Sequence, residues 1–112
     1  MNPDERFVHG IELFNEEEFF ECHEVIEDLW FATQDEYKDL YKGVIQAAVA
    51  LHHLSRRNMS GARKLYGTSS EYLRKYNPAA LGLNVQKLLN DMKICFEENN
   101  HLIPKLEFHA EE

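Results

Sequence analysis

Apolar residues recur along this chain at helical spacing over nearly its whole length. Phe7, Ile11 and Phe14 stand three to four positions apart, after Pro3, where a missing amide proton costs nothing. They predict a first helix over about 3–14 and a turn at Asn15. Acids then crowd a first turn, where the macrodipole favours them, and predict a second helix over about 16–33. The third, over about 36–57, contains "GVIQAAVAL", apolar on every side, and reads as a central helix covered by its neighbours. Arg56 and Arg57 close it, Asn58 reads as a left-handed stop and Ser60 as the next N-cap. A fourth helix over about 60–76 carries Ala62, Leu65, Tyr66, Ser69, Leu73 and Tyr76 on one face and ends at Asn77-Pro78. Asn84 caps a fifth, running to about Asn99, with Val85, Leu88, Leu89, Met92, Cys95 and Phe96 as its stripe.

Period-two alternation is missing, so no strand is expected. The Pro-interrupted tail predicts an extended strap that packs Leu102, Ile103, Leu106 and Phe108 over the helices. The fold class is therefore all-α: one compact bundle of about five helices over residues 1–112, with the second and third as a central buried pair. "EFFECHEVI" (18–26) overlays "NMSGARKLY" (58–66) at an offset of 40, each following a short turn. That is the rhythm of tetratricopeptide-like helix pairs, although two units would not make a solenoid.

Charge sharpens the picture. Residues 1–37 hold twelve Asp/Glu against Arg6 alone, and residues 38–76 hold eight Lys/Arg against Asp39 and Glu71. The net charge of −8 disfavours nucleic acid as a partner. The bland account of the asymmetry is that acidic and basic helices lie side by side. The start shows no export signal and no apolar run could span a bilayer, so a cytoplasmic protein with reduced thiols is expected. Cys22 and Cys95 read as small core residues.

The candidate chemistry sits in "FFECHEVIEDLW". A helical wheel centred among its aromatics places His23 and Glu27 inside the greasy stripe and Glu24 at its edge. As an i,i+4 pair the first two can touch, and buried they need partners. Gln46 and His53 share a face of the third helix two turns apart, with small Ala50 between them, whereas His52 points elsewhere. Three readings stand open for His23, Glu27, Gln46 and His53. They form a satisfied hydrogen-bond network, an acid–base or ligand site tuned by burial, or a metal site in which His23, Glu27 and His53 hold zinc or another divalent ion. "HEVIE" is not HExxH, and no Glu-x-x-His falls on a partner helix as a di-metal carboxylate bundle would want. The turn "RRNMSGARK" gathers Arg56, Arg57, Arg63 and Lys64 at a helix start, as surface charge or as a seat for a phosphate or acidic peptide.

"LFNEEEFFECHEVIEDLW", "YKGVIQAAVALHHL" and "RNMSGARKLY" closely resemble the DUF309 family of small bacterial and archaeal proteins, across roughly residues 13–66. "IPKL" looks like that family's C-terminal strap, and Arg57 stands where the family usually has Gly. The resemblance implies an all-α domain and no particular reaction. It carries over His23, Glu24, Glu27, Trp30, Gln46, His53 (or His52), Asn58 and Gly61 as signature positions without roles.

The leading expectation is a non-enzymatic helical binding module for a protein partner or a small anionic ligand, with no nucleic acid, no membrane and no cofactor. Trp30, Gln46, His53, Arg56, Arg57, Asn58 and Arg63 are its candidate contacts, and assembly as a homodimer stays open. The alternative is a metal-dependent or acid–base enzyme, such as a hydrolase, using His23, Glu27 and Glu24.

Overall fold

The computed structural model describes residues 3–98 and 102–110. Five helices follow in order: α1 (Glu5–Asn15), α2 (Phe19–Ala32), α3 (Lys38–Ser55), α4 (Met59–Arg74) and α5 (Val85–Glu97). Between α4 and α5 lies a short antiparallel hairpin, β1 (Ala79–Ala80) with β2 (Leu83–Asn84). All five expected helices are present with ends shifted by a few residues. The expected end of the last near Asn99 falls outside the described residues.

Helix α1 starts at Asp4, whose carboxylate accepts from the Arg6 amide at 2.8 Å. It buries Phe7, Gly10, Ile11 and Phe14. A Cβ on Gly10 would overlap the Ile26 side chain, so the missing side chain is what lets α1 lie against α2. The α1–α2 turn closes as a Schellman motif. The Glu17 amide donates to Phe14 O at 3.0 Å and the Glu18 amide to Leu13 O at 2.9 Å, with Glu17 left-handed at φ 64°.

Forty residues on, the α3–α4 turn repeats this pattern bond for bond. The Arg57 amide donates to Leu54 O at 3.0 Å and the Asn58 amide to His53 O at 2.9 Å, with Arg57 left-handed at φ 62°. Cys22 and Ala62, matched by the same offset, are both fully buried. The weak repeat in the sequence is thus a repeated turn, each joining two antiparallel helices. The roles within it differ from those expected: Arg57, not Asn58, is the left-handed residue. Asn58, not Ser60, is the N-cap, accepting from the Gly61 amide at 3.2 Å.

Helix α3 is the central one. It buries nine of its residues and packs against both α2 and α4. Its most extensive partner is α4 rather than the expected α2, because Gly43 admits Leu73 and because the buried Ser69 hydroxyl donates to Gly43 O at 2.8 Å. At the far end of α2, the Lys38 ammonium donates to the carbonyls of Trp30 and Thr33, at 3.1 and 3.0 Å, and so closes that helix from α3.

The hairpin corrects the expectation of no strand. Leu81 and Gly82 both have positive φ, as a two-residue primed turn requires. The signal was hidden because "LG" stands where "NG" or "DG" would announce such a turn. Asn84 caps α5 as expected, accepting from the Lys87 amide at 2.9 Å.

The strap is extended and anchored at two places. Phe108 bridges Leu83, flanked by Asn84 N–H to Glu107 O at 2.9 Å and His109 N–H to Gly82 O at 2.8 Å. Asn15 holds the Leu106 backbone through both ends of its amide, at 2.9 and 2.7 Å. Pro104 and Leu106 are buried, whereas Leu102, expected inside, is 65% exposed.

Candidate functional site

The buried stripe of α2 is Phe19, Cys22, Ile26 and Leu29. It lies nearly opposite the stripe formed by Phe20, Glu24, Glu27 and Phe31. His23 and Glu27 are therefore rim residues rather than core residues, with side chains 23% and 45% exposed. The wheel centred on the aromatics was turned away from the core, since Phe20 and Phe31 face outward and Cys22 and Leu29 face in. His23 Nδ1 lies 3.1 Å from Phe20 O, and Nε2 lies 3.7 Å from Glu27. No buried, unpaired carboxylate exists here. Glu24 is fully on the outer side.

One stripe of α3, Lys42, Gln46, Val49 and His53, is half-buried. Helices α2 and α4 both pack against α3, and the strip they leave partly open is the groove. On the α2 side, Trp30 carries the Lys38 and Lys42 ammoniums at 4.5 and 4.6 Å from its ring centre. On the α4 side, Gln46 lines a recess of about 280 Å³ with Thr68, Glu71, Tyr72 and Lys75. Gln46 Oε1 is buried there without a hydrogen-bond partner. Lys75 is held by Asp39 at 2.6 Å, whereas Lys42 has no ion pair among the described residues.

At the other end of the groove, His53 Nδ1 lies 3.3 Å from Asn58 Nδ2, so His53 backs the cap of α4. The imidazole that meets α2 is His52, 5.6 Å from the Phe20 ring. His52 and Phe20 line a hollow of about 460 Å³ with Glu17, Glu18, Phe19, Glu21 and Arg56. Burial, then the charges of Arg56, His53 and His23, hold the His52 pKa below its ordinary value.

Thus the expected set of His23, Glu27, Gln46 and His53 is not one cluster. Its members are spread along the groove: Gln46 turns to α4, His53 to Asn58, and His23 and Glu27 edge α2. Among the described residues no three His, Cys, Asp or Glu side chains are placed to hold a metal ion, so the His23–Glu27–His53 set is not assembled. Arg56, Arg57 and Arg63 are exposed and make no side-chain hydrogen bond or ion pair among the described residues. Sequence reasoning did not single out Lys42, Tyr72 and Lys75 as site residues, and it kept His52 only as the alternative to His53. The i,i+4 step from Lys42 to Gln46 was a usable signal, but the α4 wall is visible only in three dimensions.

Cys22 and Cys95 are free and buried, and burial pushes the Cys22 thiol up to about 12. No described helix is long and apolar enough to cross a membrane.

A family model described as "Domain of unknown function (DUF309)" matches residues 7–65. An uncharacterized protein of Bacillus subtilis (strain 168), YpuF, is 34% identical over 101 residues, which is 88% of this chain and 58% of that protein. An uncharacterized protein of Aquifex aeolicus (strain VF5) is 39% identical over 51 residues, 44% of this chain and 15% of that protein. The chain therefore spans less than two thirds of either relative. The matched region covers most of α1, all of α2 and α3 and the first part of α4, which include the repeated turns and the α2 and α3 sides of the groove but not its α4 wall.

Proposed function

This chain belongs to the DUF309 family, and we propose that it is a non-enzymatic binding module that receives an extended segment of a protein partner along the α3 groove. One observation carries the reading: Gln46 Oε1, buried and unpartnered on the groove floor. Leaving a buried acceptor unsatisfied costs about 1–3 kcal/mol. An apolar residue of similar size would avoid that cost, and a donor entering the recess that Gln46 lines would remove it. A peptide N–H is such a donor, and the free end of the Gln46 amide pairs with peptide groups as one amide with another. Lys42, one turn away and without an ion pair, favours a segment with a carboxylate near that N–H.

Gln46→Leu separates this reading from a structural one. It is expected to raise the unfolding free energy by about 1 kcal/mol. It is also expected to abolish a cross-link formed in cells from Glu71→benzoylphenylalanine to a discrete acidic segment of another protein. Loss of stability in Gln46→Leu would mark the amide as structural. A cross-link unaffected by the substitution would place the partner elsewhere.

A further inference from the structure

Helix α2 turns a second face outward, where Phe20 leans on His52 and Phe31 on Trp30 yet both rings stay largely exposed. Phe20 and Phe31 are 49% and 66% exposed, and they stand on one stripe with Glu24 and Glu27 between them. Eleven residues of helix separate the two rings by about 16 Å along the axis. Glu21, Glu24 and Asp28 on and beside this face make no ion pair among the described residues. Residues 1–37 as a whole carry eleven more acids than bases. We propose that the outer face of α2 is a second docking surface, distinct from the groove, which takes a basic amphipathic helix of a protein partner.

Charge chooses the occupant. Two aromatic anchors set in a field of carboxylates match a helix with apolar residues on one face and Lys or Arg flanking them. An anionic membrane would be repelled by the same carboxylates. A second copy of this chain is a poor fit: its basic helix, α4, exposes a single large apolar residue, Met59 at its first position, and then Ser60, Arg63, Lys64, Gly67 and Glu71, one anchor where Phe20 and Phe31 need two.

The protein carries its own reporter. Trp30 is its only tryptophan, and its ring lies 5.0 Å from that of Phe31. The probe is a synthetic 18-residue amphipathic helix of Leu and Lys, titrated at physiological salt while Trp30 emission is followed. Saturable binding is expected, with affinity falling about tenfold or more in Phe20→Ser and in Phe31→Ser. The same peptide with Glu in place of Lys is expected not to bind, and Gln46→Leu is expected to bind as wild type, which separates this face from the groove. Both Phe sites are exposed, so the variants should keep the wild-type unfolding midpoint, checked by circular dichroism. No binding, equal binding of the Glu peptide, or undiminished binding by both Phe variants would overturn the proposal. So would a dimer of the free protein that Phe20→Ser dissolves.

Discussion

Arg57 holds a left-handed backbone, φ 62°, that a side chain normally avoids at a cost of about 1–2 kcal/mol. Its side chain makes no hydrogen bond or ion pair among the described residues that would offset this. Glycine would remove the strain while adding about 0.5–1 kcal/mol of unfolded-chain entropy cost. Arg57→Gly is therefore expected to raise stability by about 0.5–1 kcal/mol, read as a higher urea midpoint with unchanged slope. The sequence pointed at this turn but named the wrong residue, because Asn is the usual non-glycine choice for a left-handed stop. Here Asn58 is occupied instead in capping α4. His23 and Glu27 were misplaced for a related reason: aromatic rings suggested a buried stripe, and on α2 two of the four, Phe20 and Phe31, face outward.

At the scale of elements, helical periodicity was enough for all five helices, because each carries a full apolar stripe between recognisable stops. What periodicity could not supply was which of two apolar faces of α2 turns inward. That choice is made by Gly10, which lets α1 close on Ile26. Nor could it supply the α4 wall around Gln46, which depends on Gly43 admitting Leu73. At its Leu106 anchor the strap's backbone is held by one side chain. Asn15→Ala deletes both bonds to the Leu106 backbone and is expected to cost about 1–2 kcal/mol. Hydrogen exchange would show the Leu106 amide losing protection well before the α3 amides do.

Across the whole molecule, the acidic and basic segments do lie side by side, since α2 packs along α3. Among the described residues, however, no ion pair joins residues 1–37 to residues 38–76. The segregated charge is left facing outward, and its two signs match the two occupants proposed, an acidic segment in the groove and a basic helix on α2.

Titration bounds the stability of this arrangement on both sides. His52 has a folded pKa below its ordinary 6.5, so the unfolded chain binds more protons between the two values. Stability is thus expected to fall as pH drops below 6.5, less steeply in His52→Gln. Tyr41 and Tyr66 are pushed up to about 12, chiefly by burial, from an ordinary 10.0. Above pH 10 the unfolded chain releases protons that the folded chain keeps, and stability falls again. Urea unfolding across the pH range would show a plateau between these limbs.

The clasp between Asn15 and Leu106 joins residues 91 positions apart. A ribosome delivers the chain from its N-terminus, so the helix pairs α1–α2 and α3–α4, whose contacts are local, can assemble as they emerge. The clasp has to wait until Leu106 has followed Asn15 out of the ribosome, 91 residues later. During that interval the α1–α2 turn exists without its cover, and the acidic first 37 residues meet the cell before the strap can reach them.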